Sequence, residues 1–204
     1  MKQYMKEKSS AVLAIYPFSE IGYDRAYSIS SLTFLFFSFS TAGWLWEVFL
    51  HIIIDGRFIN RGVLFGPWLP IYGCGSLLIL LALKRWRDQP FSTLGLTILL
   101  CGCLEYFSGL FLETFFHAKW WDYSDMLLNI QGRVCLEGLV IFGLGGLFLI
   151  YLAAPRLDDL FQTIPIKVRK ICCCILVFFF LLDLARSLIA PNMGFGITST
   201  HPIP

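Results

Sequence analysis

Six ionisable residues sit inside strongly apolar stretches of this 204-residue chain: Glu47, Glu105, Glu113, Glu137, Asp183 and Arg186. A charged side chain at the centre of a bilayer costs about 2.5–3.5 kcal/mol on insertion scales, so such groups face a partner or a cavity. Their spacing adds chemistry. Glu47 and His51 are four apart, as are Glu113 and His117, so each pair stacks on one helical face. Glu105, Gly109 and Glu113 continue the second face deeper, and Gly109 leaves room for a close neighbour. If the two Glu-His helices are related by two-fold pseudosymmetry, two Glu and two His converge.

Three uses fit these residues. The carboxylates can be neutralised by Arg57, Arg61, Arg133 and Arg186 in a buried network that fixes helix packing. They can line a path for a polar or ionic substrate. The Glu/His set can bind a divalent metal or do acid–base work, since imidazole with carboxylate suits Zn or Fe. Glu-His pairs at this spacing are common, so no metal and no cofactor is assigned. The pocket residues expected on this basis are Glu47, His51, Arg61, Glu105, Glu113, His117, Trp121, Asp122, Arg133 and Glu137, with no catalytic residue designated.

The elements that must carry them are long apolar helices. The chain is 57% hydrophobic and only 15% charged, with a mean hydropathy of +0.70; soluble proteins carry about a quarter charged residues. A net charge of +2 and the lack of a basic run with interleaved aromatics exclude a nucleic-acid partner. Five apolar runs are long enough, or nearly so, to cross about 30 Å of hydrocarbon: Ser28 to Ile54, Gly66 to Leu83, Phe91 to His117, Arg133 to Ala153 and Val168 to Ala190. Pro67 and Pro70 fall in the first turn of the second run, where proline costs least. The expected fold class is therefore an all-α polytopic membrane protein of about five transmembrane helices. Residues 1–27 form an N-terminal arm, 28–190 the membrane domain and 191–204 a tail.

Positive charge sets the direction. One side receives Lys2, Lys6, Lys8, Arg25, Lys84, Arg85, Arg87, Arg156, Lys167, Arg169 and Lys170; the other receives Arg57, Arg61, Lys119 and Arg133. By the positive-inside rule the N-terminus is cytoplasmic and the tail external, with Trp68, Trp120 and Trp121 at the outer interface and Trp86 at the inner one. Met1 to Ser10 is charged, and Ala11 to Tyr16 is too short for a signal peptide's apolar core. Cys74, Cys101, Cys103 and Cys135 lie in or beside apolar runs and read as small hydrophobes. Cys172, Cys173 and Cys174, at the basic boundary, read the same way, with palmitoylation as the alternative.

Glu-x-Phe-x-His occurs twice, in Trp46-Glu-Val-Phe-Leu-His51 and Leu112-Glu-Thr-Phe-Phe-His117. Each copy is followed by an acid and an arginine, Asp55 with Arg61 and Asp122 with Arg133. A helix with paired glycines comes next: Tyr72-Gly-Cys-Gly75 and Phe142-Gly-Leu-Gly145. Helices one and two (about 43–83) thus read as a parallel repeat of helices three and four (about 104–153), with the fifth (168–190) outside it. Substrate sites of transporters often lie between such copies. The glycines read as helix-contact residues; no P-loop, Gly-x-Ser-x-Gly or His-Glu-x-x-His pattern is present.

The segment Asn60-Arg-Gly-Val-Leu-Phe-Gly-Pro-Trp-Leu-Pro-Ile-Tyr-Gly-Cys-Gly75 resembles the bacterial CmpB-like family, labelled ABC-transporter permeases. So do His117-Ala-Lys-Trp-Trp-Asp-Tyr-Ser124, Asn129-Ile-Gln-Gly-Arg-Val-Cys135 and Leu104-Glu-Tyr106 ahead of Glu113. The likeness covers roughly Gly43 to Gly146 and implies a multipass protein of the bacterial cytoplasmic membrane, engaged in transport. It carries no site residues with it. The expected function is a transporter or permease that cannot hydrolyse ATP by itself, for want of a P-loop, with an outward-opening Glu/His/Arg pocket. Its expected partners are the lipid bilayer, further copies of itself, and a small polar solute or lipid head group. Arg61 and Arg133 would hold an anionic group, or the glutamates would bind protons or cations. The alternatives are a membrane-embedded enzyme acting on a lipid or isoprenoid head group through Glu113, His117 and Asp122, and a structural or regulatory subunit.

Overall fold

The computed structural model describes residues 22–195 and 197–199. Most of the expected N-terminal arm, with Lys2, Lys6 and Lys8, and the end of the tail lie outside the described residues.

The first helix, α1 (Ile29–Asp55), begins where Ser28 accepts the Ser31 amide and stops at Gly56 in the left-handed conformation. Its 27 residues span about 40 Å, enough to cross the hydrocarbon with some tilt. A long loop leads to α2 (Pro70–Ala82), which a 3-10 turn (Lys84–Trp86) joins to α3 (Pro90–Phe116). Helix α4 (Leu136–Phe148) runs through a π turn (Leu149–Ala153) into α5 (Ala154–Gln162), and α6 (Ile166–Ile189) completes the bundle. Among the described residues, four stretches are long and apolar enough to cross a membrane: Ile29–Asp55, Pro90–Phe116, Leu136–Gln162 and Ile166–Ile189. Large side chains such as Phe107, Phe111, Phe178 and Leu182 remain exposed on them, as lipid-facing groups do. The chain is an all-α polytopic membrane protein.

The helices alternate in direction, and α1 packs chiefly on α2 while α3 packs on α4. Close approach depends on the first glycine of each pair, Gly73 and Gly143. A Cβ on Gly73 would lie 2.2 Å from Ser40 Oγ of α1, and one on Gly143 would lie 2.6 Å from Ile98 of α3. Leu35, Ile79, Leu80, Leu83, Leu149, Ile150, Tyr151 and Ala154 form the buried core where α1, α2 and the π turn meet.

Two expectations change. Helix α2 starts at Pro70, not Gly66, and its 13 residues cover only about 20 Å. The preceding loop takes up the remaining depth: the Leu69 amide donates to the Ser40 carbonyl, well inside α1, at 2.9 Å. Asp183 of α6 accepts the amides of Phe65 (3.0 Å) and Gly66 (2.8 Å). Irregular backbone at that depth persists only where its polar groups find such partners. The fourth helix does not end at Ala153. Pro155 lacks an amide and crowds the Tyr151 carbonyl, and the π turn widens the helix there so that it continues to Gln162. Residues 155–167, expected as a loop, are mostly the amphipathic α5.

Two ends of the bundle result. A basic end carries Arg25, the 84–89 turn, α5 and the start of α6. A loop end carries residues 56–69, 117–135 and 190–199, with short strands β1 (Ala118–Lys119) and β2 (Thr198–Ser199) paired antiparallel.

Candidate functional site

The loop end gathers the carboxylates through tyrosines and arginines. Tyr72, in the first turn of α2, donates its hydroxyl to Glu47 Oε1 of α1 at 2.8 Å. Tyr123, in the loop before α4, donates to Glu105 Oε1 of α3 at 3.1 Å. These two tyrosine–glutamate pairs lie within electrostatic reach of each other. Burial, followed by the neighbouring Glu105, raises the Tyr123 phenol far above its usual value, so it serves as a neutral donor. Glu105 is 4% exposed, and its Oε2 has no hydrogen-bond partner among the described residues.

The arginines are already engaged. Arg61 donates to the Trp120 carbonyl at 2.7 Å and brings Nε to 4.0 Å from Glu47 Oε2. Arg133 pairs with Glu113 at 2.6 Å and donates to Gln131 Oε1 at 2.5 Å. Its guanidinium also stands 5.5 Å from the centre of the Tyr106 ring, and Tyr106 bonds Gln131 in turn. Trp121 fixes the Arg133 backbone by donating to its carbonyl at 2.9 Å.

The remaining expected site residues serve elsewhere. His51 Nδ1 lies 2.5 Å from Asp55 on its own helix. His117 is the left-handed cap of α3, with φ of 54°. Asp122 organises a turn by accepting from the Ser124 amide and hydroxyl, and Lys119 lies 3.1 Å from it. The Ser124 hydroxyl, then Lys119 and the Ser124 amide, hold its carboxyl below the usual aspartate value. Glu137 is exposed in the first turn of α4, where a negative charge suits the helix dipole. Among the described residues no three His, Cys, Asp or Glu side chains are grouped to hold a metal.

Arg57 and Arg186 also differ from the expected neutralising network. They lie over the rings of Phe195 (5.6 Å) and Phe65 (4.0 Å). Asp183 instead serves the re-entrant loop, accepting from Trp68 Nε1 at 2.9 Å besides the two amides. Reasoning from charged residues alone missed Tyr72 and Tyr123. The available signal was a phenol at a helix start or inside a membrane-proximal motif, since a buried tyrosine hydroxyl needs a partner. A shallow groove of about 400 Å³ between α1 and α6, lined by Phe34, Phe37, Ser38, Thr41 and Leu176 among others, contains none of these groups.

Residues 34–188 match the family described as "Putative ABC-transporter type IV". The chain belongs to that family. The match runs from α1 into the last turn of α6, farther than the Gly43 to Gly146 likeness, so α6 is part of what the family shares. Family and helices together make this a multipass membrane protein of ABC-transporter type. No curated protein and no solved structure matches the chain.

Proposed function

We propose that the chain moves a small cationic or proton-bearing solute through a polar pocket enclosed by the α1–α2 and α3–α4 hairpins. One observation carries this reading: each hairpin's loop reaches a carboxylate on a long helix at the loop end of the bundle. Arg61 of the first loop bridges the second loop's Trp120 carbonyl to Glu47, while Tyr123 of the second loop reaches Glu105. Intramembrane ionisable groups with such placement mark substrate and ion pathways. Glu47, Glu105 and Glu113 outnumber Arg61 and Arg133, and both arginines already have oxygen partners. That balance favours a cation over the anion that free arginines would attract.

The two hairpins act as parallel repeats, with Glu47–Arg61 corresponding to Glu113–Arg133. The positive-inside rule sets the basic end in the cytoplasm and the loop end outside a bacterial cytoplasmic membrane. The pocket opens outward, and the Glu113–Arg133 pair closes its mouth. The test uses purified protein in proteoliposomes, with sodium, potassium and proton flux read by entrapped dyes. Glu113→Gln and Arg133→Ala are each expected to abolish a flux that wild-type protein supports, while both variants keep wild-type gel-filtration behaviour and helical circular dichroism. Undiminished flux in both variants overturns the proposal.

A further inference from the structure

Glu105 is the most deeply buried carboxyl of the loop end, and it lacks what a buried carboxylate needs. Among the described residues it forms no ion pair, and its single hydrogen bond comes from the neutral Tyr123 hydroxyl. The titratable groups around it are Glu47 from α1, Tyr72 from α2, Tyr123 and Cys135 from the loop before α4, and Cys101 one turn away on α3. None of these supplies a positive charge. Arg61 is turned to Glu47 and to the Trp120 carbonyl, and Arg133 is paired with Glu113.

An ionised carboxylate held out of water without a cation costs several kcal/mol, and a group in that position takes up a proton instead. The neighbouring Glu47 pushes the same way, because two close carboxyls resist carrying two negative charges. Protonation removes the uncompensated charge and leaves the Tyr123 bond in place. Oε2 becomes the hydroxyl, and Oε1 remains the acceptor for Tyr123.

We infer that Glu105 is an exchangeable proton site, neutral in the resting protein. The inference rests on the transport reading above and names the proton as the ion that its pocket carries. Tyr123 connects this site to the loop, so a change in the loop that withdraws the phenol changes how tightly the proton is held.

Infrared spectroscopy of the full chain in lipid vesicles tests this directly, since a protonated carboxyl has a carbonyl stretch distinct from a carboxylate and sensitive to deuterium exchange. Wild-type protein is expected to show that band at neutral pH and lose it as the pH rises, and Glu105→Gln is expected to lack it. Glu47→Gln removes the neighbouring negative charge, so Glu105 should release its proton, and the band vanish, at lower pH. Should Glu105→Gln fail to fold, the Glu47→Gln titration decides the matter. Absence of the band in wild-type protein, its persistence in folded Glu105→Gln, or an unmoved titration in Glu47→Gln overturns the inference. The spectrum does not depend on flux. A normal titration without ion flux sinks the transport reading alone, and flux without the band sinks the proton site alone.

Discussion

Arg87 and Glu105 are buried to nearly the same degree, 1% and 4% exposed, at opposite ends of the bundle, and their surroundings differ sharply. Arg87 donates to the Tyr23 carbonyl at 2.7 Å, the Arg25 carbonyl at 3.3 Å and the Leu80 carbonyl, while its own carbonyl accepts from Tyr151. Burial pulls its guanidinium below the usual value, yet arginine stays charged in proteins and must be solvated by oxygen wherever it is placed. Glu105 has one phenol. A carboxyl can discard its charge by binding a proton, and a guanidinium cannot. The basic end is therefore built as a clamp around a permanent charge, and the loop end around a charge that can be removed. Arg25, bonded to Asp158 and Asp159 of α5, extends the clamp.

The comparison breaks first at Arg87. Arg87→Met leaves its carbonyl partners unpaired in a dry site and is expected to destabilise the protein by about 3 kcal/mol or more, seen as an early thermal transition in detergent. Unaltered melting would mean that the clamp has no structural role. A smaller effect is expected at Asp183, which holds the re-entrant loop through charge-assisted bonds. Asp183→Asn keeps one acceptor but loses the charge, at a cost of about 1–2 kcal/mol, and hydrogen exchange at the Phe65 and Gly66 amides should quicken. The smallest effect belongs to Asp122, whose folded value lies below the unfolded one. Its contribution is complete above the ordinary aspartate range and is lost as the pH falls through the lower folded value. Because Asp122 is exposed, Asp122→Asn should flatten the acid limb of the stability curve only slightly.

Hydropathy made the long helices legible. The expected runs 28–54, 91–117 and 168–190 match α1, α3 and α6 to within two residues at each end. Their signal is an unbroken apolar stretch, which sequence displays directly. The late start of α2 was hidden because Gly66 to Leu69 is as apolar as a helix, and its non-helical course depends on Asp183 more than a hundred residues away. The passage of α4 beyond Pro155 was hidden because a π turn absorbs a proline that ordinarily ends a helix. At the candidate site, the Glu-x-Phe-x-His pattern marked Glu47 and Glu113 but misdirected attention to the histidines. What those carboxylates touch was set by tyrosines and loop arginines, and periodicity holds no information about loop residues.

Asn192, just past α6, donates to the carbonyls of Asn60, Gly62 and Val63, and its own carbonyl accepts from the Trp120 indole at 3.3 Å. A few residues on, β2 is zipped to β1 beside the second loop. The last long helix is thus lashed to both loops at once, like a mast stayed on two sides. Neither loop can swing independently while those lashings hold, so a shift of α6 along its axis would drag both together, and slackening Asn192 would leave the Arg61 bond to the Trp120 carbonyl as their remaining tie.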